Sequence, residues 1–197
     1  MSTPQTLPAP GVRSRLLAAA DELFYAEGIH AVGIDRVIAE AGAAKASLYH
    51  HFGGKDGLVV AYLDARSERF HAGLGARLSD AGGPARARIG RVFDGLWESA
   101  SGTSFHGCPF INAAAEYPTA DHPVRDAVRR HRERFASTLG EQLRLGGTHP
   151  DPALVTALTL AYDGAMVTAQ VESPRSARAG TEAILDALLG EASTTAR

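Results

Sequence analysis

The residues with most to offer chemically lie in one short run, 34–52, which reads IDRVIAEAGAAKASLYHHF. Written as a helix, its second half presents Lys45, Ser47, Tyr49 and His50 away from Leu48. A cation, a small hydroxyl, a phenol and an imidazole suit contacts to a phosphate backbone with limited reading of base edges. Other groupings carry less. His50 and His51 could form a metal pair, but helical neighbours point about 100° apart, which predicts one exposed and one packed histidine and no metal site. Cys108, with His106 close in sequence and His131 further on, could suggest thiol chemistry. A small apolar residue buried near a helix start is the favoured alternative. Gly73-Leu74-Gly75 lacks the preceding strand and third glycine of a dinucleotide loop. No nucleophile or acid–base set stands at readable spacing, so neither catalysis nor a cofactor is expected.

These groups need rigid elements beneath them, and the apolar spacing is helical almost throughout. A segment from Ile34 to Ala41 stops at Gly42, and another runs from near Lys45 to the Gly53-Gly54 pair. Two short helices joined through a glycine turn describe a helix-turn-helix, whose second helix enters the major groove. Val37, Ala41 and Leu48 supply apolar contacts, and Gly42 the permissive backbone. Upstream, Leu16, Leu17, Ala20, Leu23 and Phe24 form a stripe that Gly28 closes. Downstream, a longer helix begins near Lys55, weakened at its far end by Gly73 and Gly75, before the loop SDAGGP at 79–84. Helices then follow from after Pro84, from Pro109 to Tyr117, from Pro123 to about Leu145, from Asp151-Pro152 to about Glu172, and from Ser176 to Leu189. Pro109 and Pro123 suit the first helical turn, where a missing N–H costs nothing. The expected fold is all-α with about nine helices: a flexible arm at 1–10, a head at 11–60 and a body at 61–197.

The stretch IHAVGIDRVIAEAGAAKASLYHHFGGKDGL, residues 29–58, resembles the DNA-binding domain of TetR/AcrR-family transcriptional regulators. The most specific piece is AEAG-x-x-K-x-x-LY-x-HF, followed by a glycine–lysine pair opening the next helix. By position, the resemblance implies phosphate contacts from Lys45, Tyr49, His50 and Lys55, and places Ala43, Ala44 and Ser47 towards bases or their backbone. Gly33 stands where Ser or Thr often caps the first of the two helices, at a cost of a few tenths of a kcal/mol. The alanines at 43, 44 and 46 leave few base-edge donors, so thymine methyls, backbone amides and DNA shape are expected to carry specificity. GCPFINAAAEYP, residues 107–118, resembles a stretch of the ligand-binding domain in one branch of the family.

Composition bounds the rest. The chain has 197 residues, with 45% apolar and 21% charged side chains, enough for a globular core without staples. No apolar stretch is read as reaching the roughly 20 residues of a membrane span, and the N-terminus lacks a secretory pattern. The single cysteine fits a reducing cytoplasm. A net charge of −2 argues mildly against nucleic-acid binding, and residues 1–60 hold five cations against six anions. Both lysines of the chain, however, lie in the proposed DNA face.

The expected protein is a regulator that reads a pseudo-palindromic double-stranded operator as a homodimer and answers a small, largely hydrophobic effector. The other reading is an all-α carrier or enzyme with a purely structural hairpin. Expected pocket residues are Phe93, Leu96, Trp97, Phe110, Tyr162 and Met166, with Asn112 and Asp163 as polar anchors; a cap or arginine pair is the equal alternative for Asp163. The small residues Ala157, Ala161, Gly164, Ala165 and Thr168, with Ile184, Leu185, Leu188 and Leu189, are expected at the dimer interface or else in the protomer's own core. RRHRER at 129–134 is read as a solvated helix face.

Overall fold

The computed structural model describes residues 11–190, so the arm expected at 1–10 lies outside the described residues. Among these, nine α-helices and no strand occur: α1 (Val12–Glu27), α2 (Ile34–Glu40), α3 (Lys45–Phe52), α4 (Lys55–Leu78), α5 (Ala85–Ala100), α6 (Pro109–Glu116), α7 (Pro123–Leu145), α8 (Pro152–Val171) and α9 (Pro174–Leu189). Prolines open α6, α7, α8 and α9 in the first turn, and the side chains of His122, Asp151 and Ser173 cap the last three. α4 runs on past Gly73 and Gly75 to Leu78. Each helical glycine costs about 1 kcal/mol relative to alanine. Buried Leu74 between them, and the ion pair from Arg77 to Glu98, hold the turn that the glycines weaken.

The chain divides into two compact units, one ending at Leu63 and one beginning at Asp64. The first packs Leu16, Ala20, Phe24, Val37, Leu48 and Leu58 into one core, with the Phe24 and Tyr62 rings edge-to-face at 5.7 Å. The stripe of α1 is rotated slightly from its expected face: Ala19 is buried and Leu17 only half-buried.

The second unit is built around Ile89, Phe93, Leu96, Leu139, Leu143 and Leu158, with α8 and α9 packed along each other. The small-residue stripe of α8 divides rather than facing one way. Ala161 and Ala165 turn into the protomer's core, as does Leu185 of α9, while Gly164, Leu160, Val167, Val171, Ile184 and Leu188 are exposed. The expectation that no stretch reaches membrane length fails for α8. Over an 18-residue window its mean hydropathy is 1.2, enough by length and composition alone to cross a bilayer. Here that apolarity serves both a core face and an outer face.

RRHRER is not a uniformly solvated face either. Arg130 and Arg134 are exposed and pair with Asp64 and Glu68 of α4, at 2.9 and 2.7 Å. His131 between them is buried, because its place on α7 turns inward with Val128 and Phe135.

Candidate nucleic-acid interface

Within the first unit, α2 and α3 meet across a turn in which Gly42 has φ +56°, a left-handed backbone that favours glycine. Val37 and Leu48 are fully buried at this junction, and Ala41 nearly so. Anchoring α3 by Leu48 leaves Lys45, Tyr49 and His50 exposed, with Ser47 and Ala43 half-buried and Ala44 exposed. His51 is exposed too, its ring 5.0 Å from that of His50. The expected packed histidine is therefore absent, since Leu48 and Phe52 already supply the inward positions of this eight-residue helix. Among the described residues no group of three or more metal-ligating side chains converges.

Lys45 Nζ donates to Asp35 Oδ1 at 3.0 Å, and this hydrogen bond raises the ammonium above its usual range. Both partners are exposed, so the contact is weak and salt-sensitive, and phosphate can compete for the lysine. Gly33 precedes α2 in extended backbone with no side-chain cap, its carbonyl accepting from Arg36 and Val37. Lys55 begins α4 and is half-buried.

Three positioning contacts have no signature in local sequence. Arg15 of α1 donates from Nε to the Ala41 carbonyl at 2.9 Å and reaches that of Gly42 at 3.3 Å, tying the turn to the first helix. Arg36 donates to Glu27, at 2.7 Å to one oxygen, joining α2 to the end of α1. The Arg13 guanidinium lies 5.3 Å from the centroid of the Phe52 ring.

The second unit holds a cleft of about 560 Å³ between α6, α7 and α8. Of the residues expected to meet an effector, it brings together Phe110 and Asp163. Phe93, Leu96, Trp97 and Tyr162 are instead buried in the packed core, with Met166 against it. The Phe93 and Tyr162 rings touch edge-on at 5.2 Å. Asn112 Nδ2 donates to the His106 carbonyl at 2.9 Å, bracing the loop before α6. Asp163 receives both ends of the Arg132 guanidinium, at 3.1 and 2.7 Å. Cys108 stands just before α6, and burial pushes its thiol up, away from thiolate chemistry.

Residues 16–62 match the family model of bacterial regulatory proteins of the tetR family, and residues 85–180 match the tetracyclin repressor-like C-terminal domain. A TetR-family transcriptional regulator from Streptomyces coelicolor, known from its crystal structure, superposes with a TM-score of 0.83 at 37% identity, covering 91% of this chain and 96% of that one. The chain belongs to the TetR family of transcriptional regulators. The HTH-type transcriptional regulator LmrA of Bacillus subtilis is 29% identical over 136 residues, 68% of this chain and 72% of LmrA. The HTH-type transcriptional repressor NemR of Escherichia coli is 25% identical over 135 residues, 68% of each chain. TetR-family regulators bind DNA and act as dimers.

In the TetR-family head, Gly57 is fixed by space rather than by backbone angle. At Gly57, in the first turn of α4, an added Cβ would overlap the Phe52 carbonyl that ends α3. Backbone cannot swing aside as a side chain can, so Gly57→Ala is expected to destabilise the head by about 1–3 kcal/mol. Faster hydrogen exchange at the α3 amides is the readout. Gly73→Ala, on the same helix with open space around it, is expected to stabilise by about 0.5–1 kcal/mol. Equal exchange in wild type and Gly57→Ala would show that the α3–α4 junction is not tightly fixed.

Proposed function

We propose that this TetR-family protein is a cytoplasmic repressor, not an enzyme, whose homodimer binds a pseudo-palindromic operator and leaves it on taking up a small molecule. The observation that carries the DNA reading is the outward face of α3. Lys45, Tyr49 and His50 are exposed on a short helix that buried Leu48 fixes in place. One α3 enters each major groove, with half-site centres about 34–36 Å apart or a multiple of that. Lys45, Tyr49, His50 and Lys55 then meet phosphates, and Ala43, Ala44 and Ser47 lie towards the bases, while Gly33 offers backbone to the edge of the groove.

A mobility shift on the gene's own upstream region tests the reading. Lys45→Ala and Lys55→Ala are each expected to weaken binding about equally on specific and random duplexes. Each should also flatten the plot of log affinity against log salt by about two per dimer, one for each head. An unchanged slope in both variants would place the DNA face elsewhere.

The effector belongs, in this reading, to the α6–α7–α8 cleft. Its volume falls within the roughly 300–1,000 Å³ usual for small-molecule sites, and Phe110 and Asp163 stand in its wall. The residues that the sequence suggested from the core, Phe93, Leu96, Trp97, Tyr162 and Met166, would support that wall, with Asn112 holding its entrance loop. If the cleft is the switch, operator DNA must weaken effector binding by the factor with which effector weakens operator binding.

A further inference from the structure

The cleft has two different surfaces. Phe110, Ile111 and Ala114 of α6 and Val128 of α7 give it an apolar floor. Arg125, Arg129 and Arg132 follow one another along one face of α7, at spacings that stack them over successive turns. The acids of the lining are Glu133 and Asp163. Asp163 is spent on Arg132, which it holds in a two-point, half-buried fork. Arg125 gives one N–H to the Ala114 carbonyl at 3.0 Å, and Arg129 pairs with exposed Asp126, three residues back on its own helix. A guanidinium has five N–H donors, so both keep donors to spare, and an exposed pair of that kind holds its arginine weakly.

We infer that the cleft selects an amphiphilic monoanion: an aromatic or short acyl body on the apolar floor, with its carboxylate on the guanidiniums of Arg125 and Arg129. This rests on the reading of the cleft as the effector site and narrows the effector from a largely hydrophobic molecule to an acid. The planar fork of arginine matches a carboxylate in two-point geometry, which a neutral amide cannot reproduce. The ligand's charge offsets the excess of cations over acids that the lining carries.

Calorimetric titration of the full chain with 2-naphthoate and its neutral counterpart 2-naphthamide tests the inference. The acid is expected to bind about tenfold or more tightly than the amide, a preference that shrinks with added salt. Arg129→Gln should remove most of that preference while leaving the circular dichroism spectrum unchanged, since Arg129 is exposed. Ile111→Trp, which fills the floor, should weaken both probes. Equal binding of acid and amide, with both lost in Ile111→Trp, would overturn the anion inference and keep the cleft as effector site. Binding insensitive to both substitutions, or no binding of either probe, would overturn the two together.

Discussion

Leu160→Glu in α8 is expected to turn the dimer into a monomer at micromolar concentration and to lower operator affinity by about 10²–10⁴-fold. The basis is the outer face of the last two helices. Leu160 is 64% exposed and Val171 76%, and Val167, Ile184 and Leu188 of the same two helices are exposed as well. The family acts as dimers, and we propose that exposed apolar residues of this kind are where two copies of this chain meet. The substitution spares the protomer, because an exposed helical position tolerates glutamate at a few tenths of a kcal/mol. Its cost falls on the interface, where the carboxylate must lose its water. With the heads uncoupled, each binds a half-site alone and the gain from simultaneous engagement disappears. Sedimentation gives the mass and a mobility shift the affinity. A variant that stays dimeric with undiminished operator binding would move the interface off this surface.

The helices were legible because two independent signals agreed: apolar residues at spacings of three and four, and prolines and glycines marking the ends. Pro109, Pro123 and Pro152 each sit in a first turn, where their missing donor is harmless. Which face of a helix points inward was less legible where residues are small. Ala161 and Gly164 look alike in a pattern of apolar residues, yet one is in the core and the other outside. Alanine buries too little area for its type to decide between a core and a close helix contact.

Charged residues misled more. Nothing beside Arg86 in the chain marks it, yet it is buried and donates to Asp186 Oδ1 at 2.7 Å and to Glu182, both on α9. The partners lie about a hundred positions away in the chain, so no local window contains them. The exposure of Lys45, Tyr49 and His50 was legible for the opposite reason. Lys45, Tyr49 and His50 sit within one short helix whose register a single buried leucine sets. Arg15, which holds the turn by its carbonyls, depends on how α1 crosses α2 and was missed. For the cleft, apolar and aromatic positions pointed to core residues, because core and cavity wall share a composition. What distinguishes the cleft is the arginine face of α7, which an apolar pattern does not reveal.

Acid is expected to unfold the second unit earlier than its carboxylates alone would dictate, through two buried histidines. His131 is 8% exposed, its ring stacked on Phe110 at 3.5 Å and its Nδ1 3.0 Å from the Ser67 hydroxyl. His71 lies beside it, ring centroids 5.1 Å apart, with Nε2 lacking a hydrogen-bond partner among the described residues. Burial, then His71 and the guanidiniums of Arg132 and Arg134, push His131 down to about 3. Burial also lowers His71. An unfolded histidine titrates near 6.5, so between that pH and about 3 the unfolded chain binds the proton that folded His131 refuses. The stabilisation from keeping His131 neutral is therefore complete above about pH 6.5 and drains away as the pH falls towards 3. By pH 4 about 3 kcal/mol is lost from this group, a large share of the 5–15 kcal/mol that holds a domain folded. His71 acts in the same direction. His131→Gln keeps a group able to bond Ser67 but cannot titrate, so its stability, lower at pH 7, should fall less steeply with acid. Urea midpoints measured from pH 7.5 to 4 separate the two, because carboxylate contributions are common to both proteins. Parallel curves would mean that His131 gains its proton without cost in the folded chain, and that the packing around Phe110 opens more readily than its 5° stacking on the imidazole implies.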